Sequence, residues 1–555
     1  MAAGRPYRWE KSYPPGVRWD APLELTTLGT LIDGARARGA HPALDFHNRE
    51  ITYAELCGLV DRAAAGFLAR GIAAGTPVAF YLPNTPYHPI AFFAAQKAGA
   101  RVVHLSPLDA ERELAFKLAD SGARTLVTTS LGALPAMAQR LLESGAVDRI
   151  IVGDEARWGG APPALACDGR RIVAFADLLA APPPAAWPSV RVDDVALIQY
   201  TGGTTGVPKG ALLTHGNLTA AVAMYDVWAN AQGLYRPGEE RALCVLPLFH
   251  IYALTSVLLR HIKAGNCILL RERFSVDGVL RDIEEKRVTA FAGVPTMWIA
   301  LAGAPGLETR DLSSLRVIGS GAAPLPIEVA DRLERLTGKR LIGGWGMTET
   351  APAGTNLPRD GGKPGSIGLP LPGIVIEIVA LDDPHRVLGP NEPGELRIKG
   401  PNVIRGYWNR PEETKAAFVD GYLLTGDVGI MDEDGYFFLL DRRKDMIISG
   451  GFNVYPTMVE RAIYEHPAVE EAVVVATPDP YRGEAAKVFV KLRAGAPPFT
   501  LDELRAFLAD KLGRHEMPAV LEFRDSLPRT SVGKLSRKEL AEAERGKAAA
   551  LAAPD

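Results

Sequence analysis

Over residues 51–346 short apolar runs alternate with helical segments, and this alternation constrains the fold more than any other feature. ITYAELCGLVDRAAAGFLARG (51–71) sets Leu56, Leu59, Val60, Ala63, Ala64, Phe67 and Leu68 at helical spacing. Thr52 and Glu55 before it read as a capping box. PVAFYLP (77–83) follows as a strand and PYHPIAFFAAQKAGA (86–100) as a helix. RVVHLSP (101–107), TLVTT (125–129) and RIIVGD (149–154) continue as strands. The rhythm returns in ALCVLPLF (242–249), CILL (267–270), VTAFAGVP (288–295), LRVIGSG (315–321) and RLIGGWG (340–346). Strands separated by helices predict an α/β domain of layered, largely parallel sheets. His250 is expected at the end of the ALCVLPLF strand. IYALTSVLL (251–259) is shorter than the roughly 18 apolar residues of a membrane span and reads as a buried helix. LLAAPPPAAWPS (178–189) is an extended connection.

Beyond about residue 360 the pattern changes. GIVIEIVA, GELRIKG and GYFFLLDRR are short strands between Gly, Pro and Asp turns, a small β subdomain. VEEAVVVATPD, EAAKVFVKL, LDELRAFLADKL and AVLEFRDSLP then form a compact α+β unit. DRRKD (441–445) is the expected boundary, dividing the chain into domains 1–443 and 444–555. With 62 basic and 65 acidic residues there is no cationic excess to bind nucleic acid. Cys57, Cys167, Cys244 and Cys267 are too scattered for a disulfide framework or a Cys-x-x-Cys metal site. The N-terminus lacks the apolar core of a signal peptide. The expectation is a cytoplasmic protein without an integral membrane segment, with peripheral membrane contact left open. It is a monomer or a homodimer.

The chemistry concentrates in YTGGTTGVPKG (200–210). Gly202, Gly203 and Gly206 let backbone N–H groups converge on an anion. Thr201, Thr204 and Thr205 add hydroxyls, and Lys209 adds charge. A Walker A loop needs Ser or Thr after its lysine; here Gly210 follows. With GALLTHGNL after it, the loop resembles the phosphate-binding signature of the acyl-adenylate-forming enzymes. These are the acyl-CoA synthetases, luciferases and peptide-synthetase adenylation domains. The resemblance spans residues 50–540, with further motifs in family order: LPLFH (246–250), GSGAAPL (319–325), GWGMTET (344–350), TGD (425–427), DRRKDMIISGGFNVYP (441–456) and PRTSVGKLSRKEL (528–540).

The resemblance implies roles. Gly321, Ala322, Ala323 and Pro324 would contact adenine, with Trp345, Gly346 and Met347 beside it. Thr348 and Glu349 would reach a phosphate oxygen and its Mg²⁺, which prefers a carboxylate plus phosphate oxygens. Asp427 and Arg442 would hold the ribose. His250 would lie near the acyl carboxylate, and Tyr252, Val294 and Gly344 would line the acyl pocket. Lys444 would be the pivot of a mobile C-terminal domain, Gly450, Gly451 and Phe452 would line a pantetheine tunnel, and Lys534 would be catalytic. Each has a plain structural alternative: a buried Trp345, a β-turn at Gly450–Gly451, a surface ion pair at Arg442, ordinary core at Tyr252 and Val294.

The implied reaction is acid activation by ATP to acyl-AMP, then transfer to CoA with release of AMP. Rival classes are a P-loop NTPase and a non-catalytic nucleotide or acyl binder. RRKDMIISGGFNVYP and GYWNRPEET look most like medium- and long-chain fatty-acyl-CoA ligases. The opening YRWEKSYPPGVRWD is similar to ligases for dicarboxylates such as pimelate, an alternative that would need a cationic tunnel end. His104 and Arg101 are basic residues considered for it.

Overall fold

The structure is a computed structural model that describes residues 6–160, 165–201, 207–321, 325, 327–479, 481–529 and 535–552, with 546–552 described by backbone alone. Gly202, Gly203, Thr204, Thr205, Gly206, Ala322, Ala323, Pro324 and Lys534 lie outside the described residues. The chain forms two compact units. One is Pro6–Val375 with Ile398–Leu423; the other is Ile376–Arg397 with Leu424 onward.

The larger unit holds two seven-stranded sheets. One runs, edge to edge, Leu341–Gly343, Val317–Ser320, Ala290–Gly293, Arg241–Cys244, Cys267–Leu270, Pro42–Phe46 and Arg49–Thr52. Only its last pair is antiparallel. The other runs Ile172–Ala174, Arg149–Gly153, Thr125–Thr129, Pro77–Phe80, Arg101–His104, Val195–Thr201 and Lys209–Thr214, again antiparallel only at the last pair. These strands read as unbroken apolar runs because helices cover both faces of such a sheet. The helix Tyr87–Lys97 is buried along its whole length. Each phenylalanine it buries, Phe92 and Phe93, contributes about 1.5–3 kcal/mol.

Two local expectations are corrected. The helix Tyr53–Ala69 is capped by Thr52, whose Oγ1 accepts from Glu55 N at 3.1 Å. The reciprocal half of the box is missing because Arg49 Nη2 donates to the Glu55 carboxylate at 3.0 Å. The ALCVLPLF strand stops at Cys244. Pro247 cannot donate to a ladder, and the side chain of Asn84 takes the place of a strand partner. Its Nδ2 donates to Leu246 O and its Oδ1 accepts from Leu248 N, both at 2.8 Å. His250 therefore caps a helix instead of ending a strand. That helix runs through Ile251–Ala253, a π-helical segment Leu254–Leu259 and Arg260–Ala264.

A five-stranded sheet of Val375–Val379, Gly394–Lys399, Phe418–Val419, Tyr422–Met431 and Phe437–Arg442 has most of its residues in the smaller unit. A second sheet is built from Phe452–Val454, Ile447–Ser449, Gly483–Leu492 and Val469–Asp479, with Val520–Phe523 alongside Gly483–Leu492. The helices Pro456–Tyr464 and Leu501–Leu508 close its core of Ile447, Val459, Ile463, Val488, Leu504 and Leu508.

Candidate active site

The strands Val195–Thr201 and Lys209–Thr214 flank the Gly-rich stretch. They pair antiparallel, with Thr201 opposite Lys209. The outer face of the second strand is paired to residues 406–408: Leu212 N donates to Gly406 O at 3.1 Å and Trp408 N to Gly210 O at 2.7 Å. This pairing brings Tyr407 beside Lys209. Lys209 Nζ lies 5.6 Å from the centroid of the Tyr407 ring. Tyr407 Oη donates to Glu349 Oε1 at 3.0 Å. Burial, reinforced by the Glu349 carboxylate, pushes the Tyr407 phenol far above its ordinary pKa, so it stays a donor. Glu349 is buried in the 3₁₀ turn Thr348–Thr350, and Ile404 N donates to its carbonyl at 2.9 Å. Asn402 Nδ2 steadies the same turn through Thr350 O and Ala353 O, both at 2.6 Å. Lys209, Tyr407 and Glu349 thus form one line. Sequence reasoning missed Tyr407, since nothing local to GYWNRPEET ties it to a hairpin some two hundred residues earlier.

The glycines of GWGMTET answer to the chain itself. A Cβ on Gly346 would lie 1.4 Å from Pro352 O, and one on Gly344 would lie 2.1 Å from Thr355 O. Their bareness lets residues 351–356 fold back against the turn. Trp345 is buried with its ring against Gly354, and Met347 N donates to Thr350 Oγ1 at 3.0 Å.

The acyl-pocket candidates gather at the carboxyl ends of Arg241–Cys244, Ala290–Gly293 and Val317–Ser320. The chain passes from Arg241–Cys244 to Cys267–Leu270 on one side and then to Ala290–Gly293 on the other. Such a reversal opens a crevice where open α/β sheets bind ligands. His250 Nδ1 accepts from Tyr252 N at 3.3 Å, which leaves the ring proton on Nε2. The Tyr252 ring lies against Gly321, where a Cβ would come within 2.9 Å of Cζ. Burial raises its phenol pKa well above the ordinary value. Val294 is buried at the N-cap of the helix Pro295–Ala302.

In the smaller unit Asp427 and Arg442 face each other across paired strands, with Arg442 Nε 2.6 Å from Asp427 Oδ1. Asp427 is buried; the Arg442 side chain is half exposed. Thr425 shapes the turn, donating to Leu396 O at 2.7 Å and accepting from Asp427 N at 3.1 Å. Lys444 is exposed in the turn after Phe437–Arg442. Gly450 and Gly451, at φ 59° and 85°, make the two-residue turn of the hairpin Ile447–Ser449/Phe452–Val454. Both positions need the left-handed region, which only glycine enters without cost. Phe452 is exposed. Arg537, three residues past Lys534, is held by Asp441 Oδ1 at 2.9 Å, Thr457 Oγ1 at 2.7 Å and the Glu460 carboxylate.

A profile of the AMP-binding enzyme family matches residues 32–408, and one of the AMP-binding enzyme C-terminal domain matches residues 458–534. The chain belongs to the AMP-binding enzyme family. This AMP-binding enzyme is 37% identical over 556 residues to the long-chain-fatty-acid–CoA ligase of Bacillus subtilis (strain 168), covering 97% of this chain and 98% of that one. It is 39% identical over 493 residues to a feruloyl-CoA synthase of an Amycolatopsis species, covering 88% and 93%. Its fold is similar to the ATP-bound crystal structure of MatB from Rhodopseudomonas palustris, with a TM-score of 0.82 and 28% identity over 93% of this chain and 99% of that chain. A large α/β part with largely parallel sheets and a small C-terminal α+β part are as expected of the family.

Among the described residues of this AMP-binding enzyme no helix is long and apolar enough to cross a membrane. Of the two basic residues considered for a second substrate carboxylate, one is uncharged and the other is stacked on a ring. Burial lowers the His104 pKa to about 4, so the ring is neutral, and the Arg101 guanidinium lies over the Trp408 ring at 5.4 Å.

Proposed function

We propose that the chain is an ATP-dependent carboxylic acid–CoA ligase. A carboxylate oxygen attacks the α-phosphorus of ATP, and the bond to the departing pyrophosphate breaks. The CoA thiol, losing its proton, then attacks the acyl carbon, and AMP leaves. The observation that carries this reading is the line Lys209–Tyr407–Glu349 at the start of the strand that follows the Gly-rich stretch. It supplies a cation and a fixed carboxylate where phosphates would lie. Thr348 and Glu349 offer a hydroxyl and one buried carboxylate, a donor set that suits Mg²⁺ shared with phosphate oxygens. Bound there, the ion would supply neutralisation of phosphate charge. Lys209 and the loop N–H groups would hold pyrophosphate, His250 would orient the acid, and Asp427 with Arg442 would hold the ribose. No enzyme nucleophile is required; catalysis is positioning and preorganised charge.

We take residues 444–555 as a domain that turns about Lys444 between the half-reactions. The acid is a medium- or long-chain fatty acid, as the names of the Bacillus relative and its like suggest. The dicarboxylate alternative is not favoured, because His104 is neutral and Arg101 is stacked. The test is CoA-dependent AMP release across fatty acids graded in length, with a feruloyl-type acid and a dicarboxylic acid as separate arms. ADP in place of AMP would overturn the reaction; preference for another arm would overturn only the substrate.

Two variants probe the halves of the reaction. Glu349→Gln should raise the Mg²⁺ needed for half-maximal pyrophosphate release by about tenfold and slow adenylation, since an amide carries no charge for the metal. An unchanged Mg²⁺ titration would move Glu349 away from the ion. Gly451→Leu should keep ATP–pyrophosphate exchange and lose thioester formation. A Cβ at Gly451 meets nothing within 4 Å, so the turn itself has room. Gly451→Ala carries the same backbone strain, about 1–2 kcal/mol, without the bulk. Equal thioester output from the two variants would place the tunnel elsewhere.

A further inference from the structure

Between the strand Arg241–Cys244 and the helix starting at Ile251, residues 245–250 pair with no strand among the described residues, yet they carry His250 to its place. Asn84 holds the first part of this segment. The last part is held by Gln199, a buried residue on the strand Val195–Thr201, whose Nε2 donates to Phe249 O at 3.1 Å. A carbonyl only accepts, so the amide nitrogen must face Phe249 and the amide oxygen must face the other way. That oxygen lies 3.1 Å from His104 Nδ1, which must then carry the proton. His104 is opposite Gln199 across parallel strands, buried, and packed by the rings of His88 at 5.1 Å and Phe92 at 5.9 Å. Its Nε2 has no hydrogen-bond partner among the described residues, which suits the unprotonated nitrogen of that tautomer. A turned-over Gln199 amide would set oxygen against the Phe249 carbonyl and its NH₂ against the Nδ1–H.

We propose that Gln199 is a positioning residue for the acid-binding turn Phe249–Tyr252 and that His104 acts through it by locking its amide. The proposal rests on the reading of His250 and Tyr252 as acyl-site residues. The strand that carries Gln199 and its hold on the acid turn ends at Thr201, where the Gly-rich stretch begins in sequence.

The test is acid-dependent ATP–pyrophosphate exchange, with KM for acid and for ATP measured separately. Gln199→Met should raise the acid KM by about tenfold and leave the ATP KM within about twofold. His104→Phe should raise the acid KM by about threefold, and the double variant should be no worse than Gln199→Met alone, since His104 acts through Gln199. His104→Asn keeps a donor at the place of Nδ1 and should recover most of the loss. This variant also serves should His104→Phe fail to fold. Additive effects, an unchanged acid KM, or equal rises in both KM values would overturn the proposal. His250→Ala runs alongside. A normal acid KM there would remove His250 from the acid site, while an acid-selective loss in Gln199→Met would still support the clamp through Tyr252.

Discussion

Asp427→Ala should weaken ATP binding by about 10²-fold to a few 10³-fold while the protein stays folded. In the proposed complex the carboxylate accepts from both ribose hydroxyls. Two hydrogen bonds to a charged acceptor are worth on the order of 3–5 kcal/mol, and each 1.4 kcal/mol is about tenfold in affinity. Folding should lose little. Asp427 and Arg442 sit on strands joined through their main chains, and the Arg442 side chain is 46% exposed. A freed guanidinium at such a place is solvated, and an ion pair with one partner this open contributes about 0–1 kcal/mol. Calorimetric titration with ATP separates the two effects from a thermal melt. An unchanged ATP Kd in a folded variant would falsify the ribose role.

The alternation of strands and helices was legible because a sheet covered on both faces leaves its strands no polar positions. The same rule over-reached at ALCVLPLF. Val245 to Phe249 are as apolar as the strand before them, but their main-chain groups go to Asn84 and Gln199, which are remote in sequence. No local pattern marks such an exchange of partners. Thr52 was legible as a cap, whereas the capture of Glu55 by Arg49 depends on a strand turning beside the helix.

At the site, composition marked the Gly-rich stretch as a phosphate-loop candidate; it did not show that the strands on either side of it pair. Nor did it show the reason for Gly344 and Gly346. Gly346 reads in sequence as room for a base and Gly344 as acyl-pocket wall, yet each is met by a carbonyl of the returning chain. Tyr407 was invisible for a related reason: its place beside Lys209 and Glu349 comes from strand pairing between distant segments. Long-range pairing is what a one-dimensional reading lacks, and the site is made of it.

Lys534→Ala should abolish most of ATP–pyrophosphate exchange yet still convert supplied acyl-AMP and CoA to acyl-CoA. Lys534 sits in SVGKLSR, more than three hundred residues after the Gly-rich loop. In the proposed first half-reaction the domain brings its ammonium to the α-phosphate, where negative charge grows as the carboxylate attacks. Losing one preorganised charge of this kind costs about 10²–10³ in rate. The second half-reaction has different needs. The adenylate is already formed, AMP is a competent leaving group, and after rotation about Lys444 the hairpin of Gly450 and Gly451 would replace the lysine loop. Arg537 gives a control in the same segment. It is tied to Thr457 and Glu460, both within residues 444–555, so Arg537→Ala should depress stability and both half-reactions together. Lys534→Ala should instead split them. Equal loss of both half-reactions in a folded Lys534→Ala protein would refute the two-conformation reading, and full retention of exchange would refute the catalytic role of the lysine.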